Sequence, residues 1–138
     1  MKRHLLQAII LFGSLSFFHS CGTDKEKAFD YIDEGCKYFY SGRYEPAIKN
    51  FESALNEWPD SYEAHYYLGM TLFHLKSYDD SFKHLNRSIE INKNFGKAYY
   101  SRGIMNRILK KEDDACKDFL KAKELGIPMA EERLKRCR

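Results

Sequence analysis

The 138 residues, 31% of them charged and 15% aromatic, suffice for one folded domain with a modest core and are too few for two. Ten Tyr, ten Phe and one Trp exclude a disordered chain. The formal net charge of +3 falls to +1 once Lys2 and Arg3 are set aside, and so near a balance argues against nucleic acid as a partner.

The first stretch reads as an address. Lys2 and Arg3 are its only formal charges, and Leu5 to Phe18 is an apolar run interrupted by Gln7, Gly13, Ser14 and Ser16. That run is shorter than the roughly 20 residues of a membrane span, so it suits a cleaved signal peptide. Phe18-His19-Ser20-Cys21 then resembles a bacterial lipobox, matched at Ser20 and Cys21 and departing from it at Phe18 and His19. The resemblance implies removal of residues 1–20 and lipidation of Cys21, with 21–27 as a short tether. Gly22 after the cysteine resembles the pattern that permits passage to the outer membrane, the inner membrane being the alternative. The expected location is therefore exported and lipid-anchored, facing the periplasm.

From Ala28 onward one pattern recurs. Gly35 returns as Gly69 and Gly103, each 34 residues after the last. Around them stand Tyr31, Tyr38, Ala47, Phe51, Ala54 and Pro59 in the first unit, Leu68 and Tyr78 in the second, and Tyr99, Ala115, Phe119 and Ala122 in the third. These residues resemble the tetratricopeptide repeat. Ser81, Ser88, Leu85 and Lys93 depart from it in the second unit; in the third, Asn106 replaces an aromatic or Leu, and Pro128 comes one residue late. The resemblance implies an all-α, right-handed superhelix: three helix-turn-helix hairpins (28–61, 62–95, 96–129) and a C-terminal capping helix at 130–138.

Helices are predicted over 27–40, 44–57, 61–74, 78–91, 96–109 and 112–124. Small residues at 35, 69 and 103 and at 47, 81 and 115 predict close approach of the paired helices, with Tyr31, Phe51, Leu85, Tyr99 and Phe119 filling the space beside them. Gly42 predicts a left-handed turn residue after the first helix, and Asp60 with Glu63 a capping arrangement before the third. The cap, Pro128 to Arg138, is polar, with Leu134 as its main apolar contact.

In this family the first helix of each hairpin lines a concave groove. The resemblance thus offers Ile32, Asp33, Cys36, Phe39 and Tyr40, then Glu63, Tyr66, Tyr67, Met70, Phe73 and His74, then Lys97, Tyr100, Ser101, Ile104, Arg107 and Ile108. Of these, Tyr66, Tyr67, Met70, Lys97, Tyr100 and Arg107 are the expected peptide contacts, since tyrosine joins apolar area to one polar tip. Some relatives hold acidic chaperone tails through Lys, Asn and Arg side chains; here Lys97 alone occupies a matching place, while Ile32, Cys36 and Ser101 stand at others. A chaperone-tail receptor is disfavoured.

Cys116 and Cys137 are expected to pair in an oxidising compartment and pin the cap, with Cys36 left as a packed thiol. No CxxC, HExxH, GxSxG, P-loop or GxGxxG occurs, and His65, His74 and His84 lack ligand spacing, so neither an enzyme, a metal site nor a cofactor is expected. The function expected is a membrane-anchored scaffold of the cell envelope that binds an unidentified protein or peptide. A thiol-redox protein using Cys116 and Cys137 and a self-associating repeat module are the alternatives.

Overall fold

The computed structural model describes residues 24–137; the apolar leader and Cys21 lie outside the described residues. Among the described residues seven helices follow one another: α1 (Lys25–Tyr40), α2 (Tyr44–Glu57), α3 (Tyr62–His74), α4 (Tyr78–Ile91), α5 (Gly96–Ile108), α6 (Glu112–Glu124) and α7 (Met129–Leu134). Helices α1/α2, α3/α4 and α5/α6 form three antiparallel hairpins stacked side by side, a helical-hairpin solenoid, with α7 on the end. α1 begins at Lys25, so residues 25–27, expected in the tether, belong to the first helix.

The hairpins close where sequence places their small residues. A Cβ built on Gly35 would lie 2.5 Å from Phe51 Cε1, and one on Gly103 2.9 Å from Phe119 Cε1. Both rings are fully buried, so there is no room for a methyl group. Ala47 and Ala115 are fully buried opposite, and Leu85 fills the equivalent place beside Gly69.

Departures from the repeat pattern have local physical reasons. Ser81, in place of alanine, donates its hydroxyl to the Gly69 carbonyl at 2.7 Å, and Ser88 donates to the Tyr62 carbonyl at 2.8 Å. Both serines are buried, and each bond satisfies a hydroxyl that burial would otherwise penalise. Asn106, in place of an aromatic, donates to the buried Asp118 carboxylate at 3.0 Å.

The turns inside the hairpins repeat one geometry. Arg43 N donates to Tyr38 O, Ser77 N to Leu72 O and Lys111 N to Asn106 O at 2.8–2.9 Å, closing each first helix with a six-residue loop back. The closure needs a left-handed residue, supplied by Gly42 at φ 74° but by Lys76 at φ 62° and Lys110 at φ 59° in the later repeats. The cap before α3 differs from expectation. Ser61, not Asp60, accepts from Ala64 N at 3.2 Å, and Asp60 instead pairs with Arg87 at 2.7 Å.

The end of the array is closed by α7. Ala130 rather than Leu134 is its fully buried residue. A Cys116–Cys137 disulfide, with Cα atoms 5.7 Å apart, ties the segment after α7 to α6.

Candidate functional site

The first helices of successive hairpins touch one another, α1 with α3 and α3 with α5, while the second helices make no comparable contact among themselves. The first helices therefore line the inner side of the curve, and their outward-facing side chains form its wall.

Aromatic packing sorts the candidates. Tyr67 stacks on Phe51 at 5.6 Å and meets Phe39 edge-on at 6.2 Å, joining the core more than the groove. Burial pushes its phenol up, and Tyr40 alongside adds to that. Tyr66 is half-buried between Tyr67 and Phe95, each with ring centroids 5.1 Å away. Burial raises its phenol too, the Ser101 hydroxyl opposing. Met70 is half-buried and Lys97 exposed. Among the residues offered by α1 and α5, Ile32 and Ser101 are 5% and 7% exposed and belong to the core. Cys36 is half-buried, and desolvation lifts its thiol.

Tyr100 and Arg107 sit under the cap. Arg133 Nε reaches the Tyr100 hydroxyl at 3.4 Å, and Tyr100 packs on Phe119 at 5.8 Å. Arg107 donates from Nε to Glu112 at 2.9 Å and from both Nη atoms to the Arg133 carbonyl at 3.3 and 3.4 Å. Its Nη2 also stands 3.5 Å from Cys137 Sγ, and the guanidinium lies over the Phe119 ring. Arg107 is therefore engaged in holding α7 down, and its planar fork suits that convergence of acceptors.

Sequence reasoning missed what α7 adds. Met129, Glu132, Arg133 and Arg136 join Tyr100 around a cavity of about 280 Å3 at the end of the groove. Adding 34 to the start of α5 at Gly96 lands on Ala130, one residue into α7, so a fourth first helix was the available signal. Tyr40, Ile108 and Met129 are open at 74%, 50% and 62% exposure, alongside Phe29, Leu75 and Leu120 elsewhere among the described residues. Asp33 on α1 and Glu63 on α3 are carboxylates and Lys97 on α5 a cation, and Glu132 stands with Arg133 and Arg136 at the α7 end. Such a wall can hold an extended chain by apolar anchors and charges. Among the described residues it presents no assembled nucleophile and base.

A Tetratricopeptide repeat model matches residues 32–94. RNA polymerase II-associated protein 3 of Xenopus tropicalis is 32% identical over 105 residues, covering 76% of this chain and 16% of that protein. The chain thus spans about a sixth of this curated relative's length. The structure described as the first TPR of Spaghetti bound to HSP90 peptide SRMEEVD superposes with a TM-score of 0.78 at 26% identity, covering 83% of this chain and 93% of that one. The Arabidopsis OM64 TPR domain shares the fold with a TM-score of 0.77 at 19% identity, covering 83% and 96%. Residues 32–94 thus match the tetratricopeptide repeat, and the chain shares the helical-hairpin solenoid of these repeat domains.

Proposed function

We propose that the concave face binds an extended peptide segment of a partner protein, with Tyr66, Met70, Lys97 and Tyr100 as contacts and with Tyr40, Ile108 and Met129 extending the apolar strip. The observation that carries this reading is the set of aromatic and apolar side chains on the inner helices, Tyr40, Tyr66, Tyr100 and Ile108, beside the exposed cation of Lys97. Peptide binding by Spaghetti's repeat domain supports the mode of use. Its acidic ligand transfers less well, because Ile32 and Ser101 are buried and carry no charge here. The peptide favoured is apolar at its centre and carries one acidic group for Lys97, Arg133 or Arg136.

The chain's place in the cell belongs to the same proposal. Lys2, Arg3, the apolar run to Phe18 and the Ser20-Cys21 pair support an exported protein lipidated at Cys21, anchored to the outer rather than the inner membrane and facing the periplasm. Expression of the full chain in a Gram-negative host tests it. Membrane-extracted protein is expected to begin at Cys21 with the mass of a diacylglyceryl group, and Cys21→Ala to abolish that species. A product beginning elsewhere without lipid would contradict it. The Cys116–Cys137 disulfide is half-buried and backed by Arg107, which favours a fixed bridge over redox chemistry.

A further inference from the structure

His65 on α3 and His84 on α4 stand 19 positions apart in sequence, yet their Nδ1 atoms are 3.0 Å apart across the second hairpin. His65 Nε2 is 3.1 Å from the Pro59 carbonyl oxygen, which can only accept, so Nε2 carries the hydrogen. A neutral His65 then turns its Nδ1 lone pair toward His84. A metal-bound imidazole uses the same arrangement, one ring N–H fixed on a backbone carbonyl and the other nitrogen free.

Both rings are half-buried, and a cavity of about 520 Å3 lined by His65, Lys83, His84, Asn86, Arg87 and Glu90 opens over them. Burial favours the neutral form of each ring, the form that ligates. The charges acting on the pair are Lys83 and Arg87 against Asp60, Asp80 and Glu90. Arg87 is itself paired with Asp60 at 2.7 Å and Glu90 at 3.3 Å, leaving the surroundings slightly negative.

We propose that His65 and His84 bind a divalent transition ion of the Zn2+ and Ni2+ class through their two Nδ1 atoms. Metal–nitrogen bonds of about 2.0–2.1 Å place two imidazole nitrogens on one ion roughly 2.9–3.4 Å apart, a range that includes the spacing found here. Without metal, His84 Nδ1–H donates to His65 Nδ1. On binding, a small rotation of the rings turns both lone pairs to the ion, and the His84 hydrogen passes through solvent to its own Nε2. Water from the cavity fills the remaining positions. Among the described residues, the threefold grouping of metal-capable side chains, Glu112 with Cys116 and Cys137, is closed by the disulfide and does not compete.

The test is calorimetric titration of untagged, chelator-treated full-length protein with Zn2+ and with Ni2+ at pH 7, beside His65→Gln, His84→Gln and, as a control, His74→Gln. One ion per chain with a micromolar dissociation constant is expected, at least tenfold weaker in the first two variants and unchanged in the third. Because either Gln substitution can disturb packing, paramagnetic Ni2+ is also added to the isotopically labelled parent protein. Signals of His65 and His84 should broaden before all others. Equal affinity across all three variants, or broadening centred on Cys36 or on residues 1–23, would overturn the proposal.

Discussion

Asp118 and Arg102 form a two-pronged ion pair between α6 and α5, with Nε to Oδ2 at 2.9 Å and Nη2 to Oδ1 at 2.6 Å. Asn106 gives the carboxylate a third hydrogen bond, and Arg102 Nη1 reaches Asn86 on α4 at 2.7 Å, so the network joins the second repeat to the third. Asp118 is buried, and removing its partner leaves a charge without solvent or counter-ion. Arg102→Met is expected to cost about 3 kcal/mol in urea unfolding, and Arg102→Met with Asp118→Leu and Asn106→Leu to recover most of it. A loss below about 1 kcal/mol for the single variant would show that the pair does not anchor the repeats.

The disulfide carries a second prediction. α7 has six residues and cannot persist on its own helical propensity. Cys137→Ser is expected to lower stability by about 3 kcal/mol, with increased amide exchange confined to residues 129–137 and the adjoining turn of α6. Unchanged protection there would mean that Arg107 and Ala130 hold the cap unaided.

Lys76 and Lys110 occupy the left-handed position that Gly42 fills in the first repeat. Relief of that backbone strain outweighs the freedom glycine regains in the unfolded chain. Lys76→Gly and Lys110→Gly should each raise stability by about 0.5–1 kcal/mol, measured by thermal melting, and Gly42→Ala should lower it by a similar amount. No gain from either lysine variant would show that the turns relax around the side chain.

Acid should weaken the second hairpin. Desolvation, with His65 adding repulsion, lowers His84 to about 4, and burial lowers His65 in the same direction. Protons therefore bind the unfolded chain first, and stability is lost as pH falls from about 6.5 toward 4. Asp80 opposes the shift of His84 and Lys83 adds to it. Discounted for partial exposure, the expected loss is roughly 1–2 kcal/mol, and His84→Gln should flatten that part of the profile. A parent profile without a histidine-range slope would contradict this.

The architecture was legible because its determinants are periodic: glycines 35, 69 and 103 report a close approach that recurs with the hairpin. What was not legible depends on pairs that no period announces. Nothing in the sequence sets Asp118 apart from other acids, its burial following only from Asn106 and Arg102 across the hairpin, and His65 and His84 carry no spacing signal because they face each other from different helices. Groove membership was half legible. Periodicity put Tyr66, Tyr67, Ile32, Arg107 and Ser101 on the first helices, but only packing shows that Tyr67, Ile32 and Ser101 turn inward and Arg107 to the cap.

The function proposed for the concave face is peptide binding. Its most direct measurement is selection of binders from a random peptide library on the full-length protein, followed by titration of the selected peptide against Tyr66→Ala, Lys97→Ala and, from the opposite face, Lys49→Ala. Peptides with an apolar centre and an acidic residue are expected, bound at least tenfold more weakly by the Tyr66 and Lys97 variants and equally by Lys49→Ala. Peptides whose affinity is unchanged by Tyr66→Ala and Lys97→Ala would contradict it and place recognition elsewhere on the array.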